Sequence, residues 1–280
     1  MPPRAPLPPN YYNMDMDTRP IGVFDSGLGG LTILKTLSRT LPKEKLIYFG
    51  DTVNVPYGSK SKAAVTRFSL DIARFLQKQN VKLIVVACNT ASALALPELQ
   101  KQIAVPVIGV ILPGAMKAAQ CTKNGKVAVL ATEATVQSKA YPRALKRLDK
   151  RIRAVQRACP VLVPLIEEGW VHAKGGEYII KDYLSAVTKS GADTVILGCT
   201  HYPVIKKRMA ALLGKKVKLV DSAEVLAEEV KTRLTQTDRL NPSGRGSMKI
   251  YASDAPARFK RLAKNILGRE LKRVYLKKLN

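Results

Sequence analysis

Val85-Val86-Ala87-Cys88-Asn89-Thr90 and Ile196-Leu197-Gly198-Cys199-Thr200-His201 read as two copies of one pattern, an apolar run that stops at a thiol followed by hydroxyl or amide groups. A short apolar run bounded by small polar residues is consistent with a buried strand. Its end places the thiol where open α/β sheets collect ligands, outside the carboxyl ends of parallel strands. Free cysteine is among the most buried residue types, so one such residue reads as a small hydrophobe closing a core strand. Two in matching polar contexts read as a pair of thiols facing each other across a shared cleft. That arrangement suits proton chemistry on both faces of one carbon.

Outward from these segments, short β-branched runs at 20–24, 46–49, 83–87 and 107–111 predict strands. Leu31, Leu34 and Leu37, and then Val65, Phe68, Ile72, Phe75 and Leu76, recur between them at helical spacing. Alternation of strand and helix predicts a mostly parallel sheet covered on both faces. A second series of strands is expected at 126–131, 161–166, 194–198 and 217–220. A helix around Leu226, Val230 and Leu234 follows, then a loop over 236–247, a strand over 248–252 and a terminal basic amphipathic helix. This last portion is too short to stand alone and is expected to return to the first domain. The expected architecture is two pseudo-symmetric, doubly wound α/β domains with the active site in the cleft between them. Residues 19–110 with 225–280 would make the first domain and 111–224 the second, behind an extension over 1–18.

That extension is Pro-rich, has no continuous apolar segment, and is expected to be disordered, neither signal peptide nor membrane anchor. No stretch in the chain approaches the ~20 apolar residues that span a bilayer, so no membrane association is expected. The four cysteines, 88, 121, 159 and 199, are widely spaced without a Cys-x-x-Cys pair or His/Cys cluster. This points to reduced thiols in a cytoplasm and to no metal site. Cys121 and Cys159 lack polar company and read as structural. A thiol redox function using Cys88 and Cys199 as a disulfide is disfavoured by the lack of a resolving cysteine nearby.

The formal net charge is +26. It concentrates at 139–157 and 258–278, and such an excess attracts polyanions through long-range fields. It also suits small anionic substrates. Tyr141, Leu145 and Leu148 fall on one side of an otherwise basic helical pattern, so the charge reads as a solvated face. Nucleic acid is therefore expected as a non-specific partner.

Asp25-Ser26-Gly27-Leu28-Gly29-Gly30 follows the first strand and precedes a helix, where backbone amides could approach an anion. It lacks the spacing of a dinucleotide fingerprint or a P-loop, and Asp25 would repel a phosphate. A carboxylate there could hold a substrate ammonium or orient a neighbouring base. Pro56-Tyr57-Gly58-Ser59 reads as a turn, and Glu167 as the end of the 161–166 strand. His201 alone would be an ordinary histidine. Two residues from Cys199 it becomes a partner for a thiol whose free pKa, about 8.5, is already near neutrality.

Taken together, five segments resemble the glutamate racemase family of the aspartate/glutamate racemase superfamily. They are Asp-Ser-Gly-Leu-Gly-Gly (25–30), Pro-Tyr-Gly (56–58), Ala-Cys-Asn-Thr-Ala-Ser-Ala (87–93), Val-Pro-Leu-Ile-Glu (163–167) and Gly-Cys-Thr-His-Tyr-Pro (198–203), in the family's order over residues 20 to 255. The resemblance implies a cofactor-independent isomerase that makes D-glutamate for bacterial peptidoglycan, working as a homodimer. It implies that Cys88 takes the α-proton from the D-enantiomer and Cys199 from the L-enantiomer. Asp25 would assist Cys88, while His201 and Glu167 would assist Cys199. Ser26, Tyr57, Gly58, Asn89, Thr90 and Thr200 would hold substrate, with Asp25 and His201 also in contact. Two other readings stay open: a racemase for aspartate or another amino acid, and a basic nucleic-acid or topoisomerase-binding protein on a racemase fold. Neither the extension nor the charge touches a motif.

Overall fold

The computed structural model describes residues 17–279. Two sheets organise the chain, and every strand pairing among the described residues is parallel. In chain order the first part contains β1 (Ile21–Asp25), α1 (Leu31–Thr40), β2 (Lys45–Gly50), α2 (Lys62–Lys78), β3 (Leu83–Val86), α3 (Asn89–Leu94), α4 (Leu96–Gln102) and β4 (Val107–Gly109). Next come α5 (Ile111–Cys121), β5 (Lys126–Ala131), α6 (Glu133–Gln137), α7 (Ala140–Leu148), β6 (Arg153–Ala158), α8 (Leu162–Glu167), α9 (Lys174–Ser190), β7 (Thr194–Gly198), α10 (Lys206–Leu213) and β8 (Lys218–Asp221). The chain closes with α11 (Ser222–Gln236), β9 (Ser247–Ala252), α12 (Pro256–Leu267) and β10 (Tyr275–Leu276).

The first sheet runs β10-β9-β2-β1-β3-β4 and the second β6-β5-β7-β8. The orders 2-1-3-4 and 6-5-7-8 are the same topology, so β1 corresponds to β5 and β3 to β7. In each, the chain leaves the central strand to one side and then returns to the other. That reversal opens a crevice at the carboxyl ends of the strands. Cys88 follows β3 and Cys199 follows β7, so the two thiols occupy equivalent places.

Successive side chains of a strand point to opposite faces. Ile21 and Val23 accordingly enter one core with Leu31, Leu34, Leu226 and Val230, whereas Phe24 enters another with Val65, Ile72 and Leu76. The helix α11 thus packs on the first sheet's core. The loop that follows it is pinned by Lys82, whose fully buried ammonium lies 2.7 Å from Glu44 and donates to the carbonyls of Arg239 and Asp17. Removing one partner of so buried a pair costs about 3–5 kcal/mol.

Four expectations need correction. The run 161–166 is not a strand: Leu162, Leu165 and Ile166 are buried on one side of α8, and Glu167 ends that helix. A short apolar run is ambiguous in period, and Pro164 within it argues against a ladder. The strand is instead Arg153–Ala158, at the sheet's edge, with alternate residues exposed. Charged side chains blunt such an edge against foreign pairing, and here they disguised the strand as helix. Leu148 is 42% exposed at the end of α7, while Tyr141 and Leu145 are buried. The basic stretch is therefore a helix followed by a strand. The chain does not finish in a helix either, since β10 adds to β9 beyond α12. Finally, most of the extension expected over 1–18 lies outside the described residues, but Asp17 is held, salt-bridged to Arg19 at 2.7 Å.

Candidate active site

A cavity of about 320 Å³ lies between the two sheets at their carboxyl ends, within the size range of small-molecule sites. Ser26, Tyr57, Gly58, Cys88, Asn89 and Thr90 line it from the first sheet's side. Thr132, Glu167, Cys199, Thr200 and His201 line it from the second. Of the residues expected at the site, Asp25 alone is not in the wall; it sits behind Ser26, completely buried. A larger surface groove, about 750 Å³ between α2 and α4, contains no thiol.

Cys88 caps the amino end of α3, its sulfur accepting the Ala91 amide at 3.5 Å and donating to Ser26 Oγ at 3.7 Å. Burial and, next, the Asp25 carboxylate push its thiol up to about 12, against the weaker pull of those two contacts. Cys199, in the wall of the same cavity, adds a smaller push in the same direction. Asp25 receives the Gly30 amide at 3.1 Å and the Thr200 hydroxyl at 3.2 Å. Its pKa is nevertheless raised, because desolvation outweighs the field of His201 and those hydrogen bonds. These contacts favour the orienting role for Asp25 over direct capture of an ammonium.

Cys199 Sγ lies 3.8 Å from His201 Nδ1, and His201 Nε2 lies 2.8 Å from Glu167 Oε1. Burial pulls the imidazolium down, but its bonds to Cys199 and Glu167 override that and push it up to about 10. The second thiol thus faces a protonated ring held by a carboxylate. Glu167 can reach this ring because it ends a helix beside the cavity.

The two halves approach closely at the glycines of the first motif. A Cβ on Gly29 would stand 2.2 Å from Thr200 Oγ1 and 2.5 Å from His201 Nδ1, and one on Gly30 would stand 2.5 Å from Asp25 Cβ. Gly29 therefore makes room for the Thr200–His201 loop of the opposite sheet and Gly30 for Asp25 and Tyr48 of its own, and these close approaches account for the two glycines. Thr32 strengthens the join by donating its hydroxyl to the Thr200 carbonyl at 3.1 Å.

Thr132 and Thr135 had no part in the sequence reading. Across the cleft the Thr90 hydroxyl shares hydrogen bonds with Thr132 at 2.8 Å and Thr135 at 3.3 Å, and those two share one at 2.8 Å on the second sheet's side. Thr132 follows β5 as Cys199 follows β7, so the strand-end rule that singled out the cysteines could have found it. Tyr141 donates its hydroxyl to Asn89 Oδ1 at 2.7 Å, fixing that amide from α7. Tyr57 contributes its ring to the wall, but its hydroxyl is engaged by Asp51 at 2.6 Å. Among the described residues no group of three or more His, Cys, Asp or Glu side chains is placed to hold a metal ion, and no helix is long and apolar enough to cross a membrane.

The comparisons with known proteins agree in one direction. The chain is 49% identical over 261 residues to a glutamate racemase of Geobacter metallireducens, covering 93% of this chain and 97% of that one. A glutamate racemase structure from Thermus thermophilus, in complex with β-chloro-D-alanine, matches with a TM-score of 0.85 and 45% identity, covering 95% of this chain and 99% of that one. Another, from Francisella tularensis in complex with D-glutamate, matches with a TM-score of 0.89 and 39% identity over the same shares of the two chains. The model of the Asp/Glu/Hydantoin racemase family matches residues 21–230. The chain belongs to the Asp/Glu/Hydantoin racemase family, among relatives that are glutamate racemases.

Proposed function

We infer that the protein is a glutamate racemase that interconverts L- and D-glutamate by two-base proton transfer, with Cys88 and Cys199 as the bases. One observation carries this: two buried thiols, at equivalent strand ends of two sheets with the same topology, line a single cavity. Starting from L-glutamate, the Cys199 thiolate takes the α-proton and the C–H electron pair stays on carbon as a carbanion. The Cys88 thiol then delivers its proton to the other face. The thiol and thiolate have exchanged places, and the reverse reaction restores them.

The high proton affinity of Cys88 keeps it in the thiol form, so it carries the proton to be delivered in this direction. His201, kept protonated between Cys199 and Glu167, supplies a positive charge next to the other sulfur. Ser26, Asn89, Thr90 and Thr200 supply hydroxyl and amide groups for the substrate's carboxylates, and substrate filling the cavity displaces water from where the carbanion forms. Preorganised donors in such a site stabilise developing charge far better than they would in water.

In this reading 19–110 with 225–280 and 111–224 form two bodies that close on the substrate. A cytoplasmic location, a homodimer and a role in supplying D-glutamate for peptidoglycan belong to the same proposal. The test is circular dichroism polarimetry of purified protein with L-glutamate and no added cofactor. The signal should decay to zero, and D-glutamate should decay to zero from the opposite sign. Decay with L-aspartate and none with L-glutamate would replace glutamate by the shorter substrate.

A further inference from the structure

The mouth of the cavity is crossed by one ion pair. Arg258, in the first turn of α12, donates from its guanidinium to Glu168 Oε1 at 3.1 Å, joining residues 90 apart in sequence. The helix α12 packs on the first sheet through Phe259 and Ala263, whereas Glu168 directly follows α8 on the second sheet's side. Both side chains line the cavity and both are open to solvent, with 59% and 51% of their side-chain surfaces exposed. Glu167, the next residue, faces inward to His201, so the clasp lies one residue from the catalytic relay.

The charges around this cavity are unequal. Glu133, Glu167 and Glu168 are in its wall, and Arg258 is the only lysine or arginine there among the described residues. Arg258 also sits at the amino end of a helix, where the dipole disfavours a cation. An exposed ion pair contributes little to stability, ~0–1 kcal/mol, so this one opens readily. A dicarboxylate entering past three glutamates meets Arg258 at the mouth, already held by Glu168, and the His201 imidazolium deeper in, already held by Glu167.

We propose that Arg258 is a positioning residue for substrate entry and release, exchanging its partner Glu168 for a carboxylate of the incoming substrate at the cleft mouth. The proposal rests on the dicarboxylate substrate inferred above. It makes the two partners of the clasp act in opposite directions: Arg258 attracts the substrate, and Glu168 competes with it. A clasp that only held the halves together would make them equivalent.

The experiment compares Arg258→Gln and Glu168→Gln with the wild-type chain by polarimetry, measuring kcat and KM for L-glutamate from low to high salt. Arg258→Gln should raise KM by about two- to fivefold, the range expected for losing one exposed charge contact, and flatten the fall of kcat/KM with salt. Glu168→Gln should lower KM and keep that salt dependence. Equal shifts of KM in the same direction, or no shift in either variant, would overturn the exchange while the wild-type turnover upholds the racemase reading. No turnover by the wild-type chain would overturn both.

Discussion

Cys88 and Cys199 end equivalent strands, yet what stands beside each sulfur is opposite in charge. Cys88 has a buried carboxylate behind it, a serine hydroxyl and one helix-capping amide. Cys199 has an imidazole anchored by a glutamate. Similar topology thus supplies similar positions, while the loops attached to it surround the two sulfurs with different groups. A reaction between mirror-image molecules has an equilibrium constant of one. The asymmetry must therefore belong to the enzyme's own two forms and not to the overall reaction.

The strongest way to break the comparison is to remove either sulfur. Cys88→Ala and Cys199→Ala should each reduce racemisation in both directions by at least ~10³-fold, within the range for loss of an acid or base, with the fold intact by circular dichroism. Substantial turnover in either variant would show that inversion does not need both thiols.

Replacing the supporting groups sharpens it. His201→Asn and Asp25→Asn should each lower kcat/KM by about 10²-fold, and equally for both enantiomers because their ratio is fixed by the equilibrium constant. The difference should appear in isotope effects: His201→Asn should enlarge the α-deuterium effect mainly with L-glutamate, and Asp25→Asn mainly with D-glutamate. The same enlargement for both enantiomers in both variants would mean that the two partners serve the cavity jointly.

The His201 side also makes a prediction about stability. Its folded pKa is raised from 6.5 to about 10, so the folded chain holds a proton that the unfolded chain has released. The resulting stabilisation is full below pH 6.5 and is lost progressively as pH rises to about 10. The Tm advantage of the wild type over His201→Asn should shrink across that window. A difference that stays constant or grows would show that the imidazole is neutral in the folded protein.

The smallest effects should come from the other two cysteines. Cys159 is buried in the second sheet's core and Cys121 is partly exposed at the end of α5. Cys159→Ser should cost about 1 kcal/mol of stability and Cys121→Ser less, with kcat unchanged in both. Loss of activity at native stability would mean that the wrong pair of thiols had been chosen.

What was legible in the chain follows from how local each signal is. Cys88, Cys199 and Asp25 end apolar strands, and the change from apolar to small polar residues announces them within a few positions. Glu167 stands out at the end of an apolar run, and its role comes from the resemblance, but the run is a helix and not a strand, since six apolar residues with a proline among them give period analysis too little to decide. The edge strand Arg153–Ala158 was obscured because its composition reflects protection of an exposed edge, not burial. Arg258 and Glu168 carried no signal at all. Each is an ordinary charged residue, and only the tertiary fold brings them together over the cavity.

The central claim, two bases on opposite faces of one carbon, is tested most directly by isotope incorporation at low conversion. L-glutamate is incubated with the protein in heavy water and both enantiomers are separated and weighed by mass spectrometry, with product release shown not to limit exchange. The Cys88 thiol has already exchanged with solvent, so early D-glutamate should carry deuterium at the α-carbon while recovered L-glutamate stays largely unlabelled. Early D-glutamate that retains the original hydrogen would mean that one base serves both faces, and would contradict the assignment of Cys88 and Cys199.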